Sequence, residues 1–293
     1  MNKSQCNICK KNQFKIISPF VRDSKKHKII QCKNCTHIQL SPIPSPEKNR
    51  KFYDEDKMSK NIKLHSMQVM KEKSKKDTLT HVNLTKKISQ KKSKILEIGS
   101  GYGFFLDSMN KKGYDVIGIE ISKIRRNYAK RISKSNVLDV DITEQVPEIG
   151  KFDSVVIFHV LEYIADPIHF LKNVSKLLKN NGKLLIKIPN VDDLSLKYHE
   201  SYRNWFWQRA HANYFSPKVL KLVLKKAGFT KIKISGIQRY SIENMFNWRL
   251  IGNPQLKKPT FELSTEYLFI DNYYKQHLEN NLNCDTLLVI AQK

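Results

Sequence analysis

Apolar runs long enough to cross a bilayer are missing from this 293-residue chain, where a helical span needs about 20 such residues. The opening residues, MNKSQCNICK, lack the apolar stretch of an export signal. A cytoplasmic protein without a membrane span is therefore expected. Cysteine is also sparse: five in all, too few for a disulfide scaffold in a chain of this length. Acidic residues number 27 against 53 basic ones, a formal net charge of +26, which by itself resembles the footprint of a polyanion binder. Arginine is scarce, however, with nine against 44 lysines, and arginine is the residue whose geometry suits phosphate forks and base edges. The charge is uneven as well, since residues 1 to 94 carry +17 of the +26. With 40% hydrophobic residues the chain can build a core, and wholesale disorder is excluded.

Four of the five cysteines, Cys6, Cys9, Cys32 and Cys35, form two C-x-x-C pairs. Two such knuckles bring four thiolates onto one Zn2+ with no position left for water, which makes a structural site. Short β-type runs, FKII at 14–17 and HKII at 27–30, suit a zinc ribbon over residues 1–45. The alternate prolines of SPIPSP, residues 41–46, make a stiff extended connector. Residues 46–92 follow as a basic helical linker or lid, with Ile62, Met67, Val69, Met70, Leu79, Val82, Leu84 and Ile88 as its apolar positions. Its lysines suit a solvated helix face.

From residue 93 strands alternate with helices, the pattern of a mostly parallel sheet covered on both faces. The strand KILEI runs into G-S-G-Y-G at 99–103 and then a helical segment. Gly99, Gly101 and Gly103 permit a tight turn and close approach of backbone N–H groups to a ligand. In the dinucleotide fingerprint G-x-G-x-x-G the third glycine would fall on Phe104, which argues against NAD. Glu120 ends the next strand, where a carboxylate can accept the hydroxyls of a ribose, and Asp141 follows the strand after that. Glu97, Glu120 and Asp141 ring the turn with negative charge. That disfavours a pyrophosphate and favours a ligand carrying an amine and a sulfonium, as S-adenosylmethionine does.

The order E-x-G-x-G-x-G, then an acid closing the second strand, then FDSVVIFHVLEY resembles class I methyltransferases over roughly residues 93–235. The resemblance implies an α/β, Rossmann-like, seven-stranded mostly parallel sheet spanning residues 93–293, completed by KIKIS and DTLLVIA. It implies that Glu97 and the glycine-loop backbone hold the aminoacyl end, Glu120 the ribose, and Asp141 with Ile142 the adenine edge, with His159 beside the cofactor.

In such sheets the acceptor enters at the carboxyl ends of the strands. The loop 190–215 concentrates Tyr198, Tyr202, Trp205, Phe206, Trp207, Tyr214 and Phe215 with His199, Arg203, Arg209 and His211. Flat rings with a few polar groups suit a sugar or another ring-bearing acceptor. A four-cysteine unit, a proline connector, FYDED and then this domain is similar to the sugar methyltransferases of bacterial polysaccharide and deoxysugar pathways. The C-methylating members carry Y-H-E-H before an aromatic-Phe-Ser stretch. Here Gln208, Arg209, Ala210 and His211 precede ANYFS, so only the last histidine matches and O-methylation is expected, with His211 as the base. Residues 236–283 form an insertion in which Arg239, Tyr240 and Asn244 are acceptor-binding candidates. The alternative function is methylation of RNA gripped by the ribbon and the basic first third. Against it stands FHVLE, where an N-P-P-Y type motif would end the fourth strand.

Overall fold

The computed structural model describes residues 5–44, 67–254 and 262–293. The end of the proline connector, FYDED and Ile62 lie outside the described residues.

Seven strands form the main sheet in the order β10-β11-β8-β7-β4-β5-β6: β4 (Lys94–Ile98), β5 (Asp115–Ile119), β6 (Val137–Leu138), β7 (Phe152–Phe158), β8 (Leu178–Pro189), β10 (Thr230–Ile237) and β11 (Thr286–Gln292). Neighbours pair in parallel from β6 through β8, whereas β11 runs antiparallel to both β8 and β10. This is the expected α/β architecture. Its central strands are nearly continuous apolar runs because helices bury both faces. Ile95, Leu96, Val155, Val156, Ile157, Leu184, Leu185 and Ile186 are all shut off from solvent. Chain order reverses at β4, with β5 and β6 to one side and β7 and β8 to the other. A crevice opens at such a switch point, beyond the carboxyl ends of the strands.

The helices start where sequence chemistry dictates. The Asp166 side chain accepts from the His169 N–H ahead of α4 (Pro167–Leu177), and Ser216 accepts from Val219 N–H ahead of α7 (Pro217–Lys226). Each has proline at its first position, where no N–H is needed. The other helices are α1 (Met67–Lys86), α2 (Phe104–Asn110), α3 (Lys123–Ser133), α5 (Leu194–Tyr198), α6 (Glu200–Phe206), α8 (Ile242–Ile251) and α9 (Leu268–Asn280). The last two occupy the insertion. In α1 the apolar contact is narrower than expected. Thr78, Val82 and Thr85 are buried, while Val69 and Leu79 face solvent.

The cysteine-bearing unit is a small antiparallel sheet of β1 (Phe14–Ser18), β2 (Lys28–Cys32) and β3 (Ile38–Ser41), and a fourth strand joins it from far along the chain. This is β9 (Asn213–Tyr214), which pairs Ile38 with Tyr214 and Gln39 with Asn213. Cys6, Ile8 and Cys32 pack in the same apolar cluster as Ile142, Phe215 and Val219. The unit is thus built into the larger domain's core.

Candidate active site

The turn after β4 is held from below: the N–H groups of Gly99 and Ser100 both donate to the carbonyl of Ile119, at 2.8 and 3.0 Å. All three glycines of the turn have positive φ, the left-handed region that other residues enter at a cost. Their surroundings differ. A Cβ on Gly99 would lie 2.3 Å from Val160, and one on Gly103 would lie 2.7 Å from Ala129 of α3. A Cβ on Gly101 would meet nothing within 4 Å, because it would project into open space.

That space is a cleft of about 550 Å³ lined by Gly99, Gly101, Glu120, Asp141, Ile142 and His159, together with Arg125, Thr143, Glu144, Tyr163, Ile164 and Asp166. Six of the eight residues read as cofactor-binding therefore share one cleft. Gly103 and Glu97 are not in its wall. Gly103 is a packing glycine at the start of α2, needed for close approach of α3. Glu97 lies buried in β4, and its Oε2 has no partner. Burial and then the nearby Glu120 carboxylate push its acidity well below that of an ordinary glutamate, so its pKa is raised.

Glu120 accepts from Gly101 N–H at 2.8 Å and from Ser122 N–H at 2.9 Å, one to each oxygen. It pins the glycine turn and keeps lone pairs for a ligand, since a carboxylate offers about four acceptor sites. Asp141 accepts from both the N–H and the hydroxyl of Thr143 through Oδ1, which fixes the carboxylate at the rim. The Ile142 carbonyl is taken by Asn173 at 2.9 Å. An open glycine and two rim carboxylates fit a cationic, amine-bearing ligand.

His211 is not brought to the cleft. It is buried, edge-on to Tyr163 at 5.1 Å between centroids, with Nε2 3.1 Å from the Gln208 amide nitrogen. Tyr163 is among the residues that line the ligand space, and His211 is not. Burial first, then Arg22, depresses the His211 pKa to about 3. The aromatic loop is likewise committed elsewhere. Tyr202, Phe206, Trp207 and Tyr214 pack with Val21, Ile29, Ile38 and Leu40 of the small sheet and with Trp248. Phe215 is fully buried in the main core, so only Tyr198 (60% exposed) and Trp205 (38%) present surface. The rings expected to form a platform for an acceptor are instead the joint between the two units, the outcome that large apolar areas favour. Arg239 is partly buried and pairs with Asp285 at 3.2 Å, Tyr240 lies against it, and Asn244 is buried near the start of α8.

The four cysteine sulfurs lie within 4.8 Å of one another, with Cys6 to Cys35 at 3.4 Å and Cys9 to Cys32 at 3.5 Å. Four thiolates at about 2.3 Å from a tetrahedral zinc are separated by about 3.8 Å, so the donor set fits that ion. Its surroundings reach the cleft. The Asn213 Oδ1 accepts from Asn7 Nδ2 at 2.9 Å and lies 2.8 Å from His37 Nε2, while its own amide donates to the carbonyl of Ile164 in the cleft wall.

A group of residues that the sequence reading passed over sits at the carboxyl ends of β7 and β8. Lys187, fully buried, contacts Asp77 at 2.8 Å and His81 at 3.2 Å, both from α1. The His81 ring stacks on Phe158 at 3.8 Å. A lysine in the middle of the apolar run KLLIKIP, and Asp77 and His81 four apart on one helix face, were the available signals.

Sheet order, switch-point cleft and acidic rim together are those of a class I S-adenosylmethionine-dependent methyltransferase. Residues 70–234 match the family model described as a methyltransferase domain, more than half of the chain, and the chain belongs to that family. It is 29% identical over 173 residues to a ubiquinone biosynthesis O-methyltransferase of Pelagibacter ubique, an alignment covering 56% of this chain and 71% of that protein. A Coxiella burnetii protein of the same name is 25% identical over 175 residues, covering 56% and 75%. Among solved structures, the fold is similar to a SAM-dependent methyltransferase from Archaeoglobus fulgidus (TM-score 0.51, 20% identity, 78% of this chain and 95% of that one). It is also similar to the magnesium protoporphyrin IX methyltransferase of Synechocystis (TM-score 0.55, 11% identity, 85% and 100%). Among the described residues, no helix is long and apolar enough to cross a membrane.

Proposed function

We propose that the protein transfers the methyl group of S-adenosylmethionine to an oxygen of a small-molecule acceptor, and that this acceptor is a sugar, nucleotide-sugar or related glycan intermediate. The observation that carries the first half is the cleft in which Glu120 and Asp141 flank the open Gly101. In this reading the Gly99–Gly101 backbone and Glu97 hold the aminoacyl end, Glu120 the ribose hydroxyls, and Asp141 with Ile142 the adenine edge. The bound donor supplies an electrophilic methyl carbon. The protein's part is to align the attacking oxygen and accept its proton. The relatives' printed name, an O-methyltransferase of ubiquinone biosynthesis, supports oxygen as the methylated atom and a small molecule as its bearer.

The sugar class is supported by the four-cysteine unit ahead of the domain and by the residual motif match at His211. Cys6, Cys9, Cys32 and Cys35 are proposed to hold a structural Zn2+. RNA as the acceptor loses support from the fold, because the small sheet spends much of its surface on the methyltransferase domain. The test is release of S-adenosylhomocysteine from the full chain over a panel of nucleotide-sugars, phenolic acceptors and RNA. Turnover on a nucleotide-sugar with the methyl group on oxygen is expected. Turnover confined to phenols would overturn the sugar assignment, and turnover confined to RNA would overturn both halves.

A further inference from the structure

A second hollow, of about 400 Å³, is lined on one side by Lys197, His199, Glu200 and Arg203 and on the other by Trp248 and Arg249. None of these residues lines the cleft around Gly101. The two sides come from α5 with α6 and from the last turn of α8. They meet where Ser201 Oγ donates to the Trp248 carbonyl at 3.4 Å, and where a Cβ on Gly252 would lie 3.4 Å from that of Ser201. Folding thus gathers cations from positions some fifty residues apart. Lys197 and Arg249 are exposed, and among the described residues neither pairs with a carboxylate, nor does Glu200 pair with any cation. One nitrogen of Arg203 donates to the carbonyls of Leu196 at 2.9 Å and Lys197 at 3.1 Å, which fixes its guanidinium in the wall. His199 lies between the cations and is 8% exposed, yet its imidazole has no hydrogen-bond partner among the described residues. Buried polar groups are nearly always satisfied, and an exception calls for a reason outside packing. Burial, then Arg249, then Arg203 hold the His199 pKa below its ordinary value, so the ring feels both guanidinium groups.

Lys197, Arg203 and Arg249 against Glu200 leave two uncompensated positive charges in the wall. Like charges held together repel, and a concave wall of one sign concentrates small anions from solution. A phosphate monoester carries a charge of about −1.5 to −2 at neutral pH and three acceptor oxygens, which matches the wall in both charge and donors. A lone carboxylate would meet about half of that charge. We infer that this hollow is a second ligand site, separate from the methyl-donor cleft, and that it takes a phosphoryl group borne by a phosphate ester or diphosphate. Arg203 and Arg249 offer planar, forked donors to its oxygens. Lys197 adds a compact charge, and the unpartnered His199 ring adds a further donor. The inference goes beyond methyl transfer and stands or falls by binding alone. A soluble phosphate ester and a phospholipid headgroup share this chemistry, and the measurement separates the two sources.

Calorimetric titration of the full chain with inorganic pyrophosphate is expected to show one site at this hollow. Arg249→Gln and Lys197→Gln, at two exposed positions, should each weaken it about tenfold or more. Lys75→Gln, which removes an exposed lysine of α1, should leave the affinity within about twofold. An equal loss in Lys75→Gln would reduce the effect to net charge and overturn the inference. Affinity for S-adenosylhomocysteine should stay within about twofold in all three variants, so failure here and failure of the proposed methyl transfer are read separately. Co-sedimentation with phosphatidylcholine vesicles, with and without phosphatidic acid, identifies the source. Binding that needs phosphatidic acid and is lost in Arg249→Gln assigns a headgroup, while pyrophosphate binding without vesicle binding assigns a soluble ester. No binding of either probe would overturn the site. Independently, pyrophosphate should raise the pKa of His199 followed by NMR, because a nearby anion favours the imidazolium. A His199 titration that pyrophosphate leaves unmoved would overturn it too.

Discussion

Three glycines within five residues do different work, and substitution separates them. Alanine at Gly101 meets no atom of the protein, so Gly101→Ala is expected to cost only about 1 kcal/mol of left-handed strain while its methyl group intrudes on the ligand space. Its affinity for S-adenosylhomocysteine should fall tenfold or more by calorimetry, with a nearly unchanged denaturant midpoint. Gly103→Ala collides with Ala129, including its backbone, and is expected to lose about 2 to 3 kcal/mol of stability through strain and overpacking. His211 invites a second prediction. Its folded pKa of about 3 lies below the value of about 6.5 in an unfolded chain, so the unfolded state binds more protons between those values. Its contribution to stability is thus complete above about pH 6.5 and is lost as pH falls through the window. Replacement by Gln removes this term, so the decline in unfolding free energy from pH 7 to pH 5 should be shallower in His211→Gln than in wild type.

Strand β9 is two residues long, and its consequence is large. Through Asn213 it ties Asn7 and His37 of the small sheet to the Ile164 carbonyl in the cleft wall. Asn213→Ala leaves these buried groups unpaired, and at about 1 to 3 kcal/mol for each unsatisfied group a loss of about 3 kcal/mol or more is expected in denaturant unfolding. Elements like this mark the boundary of what the sequence makes legible. The strand-turn-helix around Gly99 and the acids at Glu120 and Asp141 are local features, readable from spacing, and they converge on one cleft. The pairing of Gln39 with Asn213 joins positions 174 apart, and no local pattern encodes it. For the same reason the rings of 198–215 read as an acceptor platform. Their composition shows that they bury area, while the partner they bury it against is visible only once the chain has folded.

At the scale of the whole molecule, the cysteine cluster and the cleft form one mechanical unit. Cys6 and Cys32 share a core with Ile142 of the cleft wall, and Lys10 reaches Asp166 of the same wall at 3.3 Å. Metal binding to four thiolates is coupled to folding of the surrounding unit. Treatment with a zinc chelator is therefore expected to lower the thermal midpoint and, with it, affinity for the methyl donor. A chelated protein with unchanged midpoint and affinity would contradict the brace.

The most direct measurement is calorimetric titration of the purified chain with S-adenosylhomocysteine, NAD and ATP, repeated with Glu120→Ala. One site for S-adenosylhomocysteine is predicted, weakened tenfold or more by Glu120→Ala, with neither nucleotide competing. Equal affinity in wild type and Glu120→Ala, or tighter binding of NAD or ATP, would contradict a carboxylate-rimmed cleft built for a cationic methyl donor.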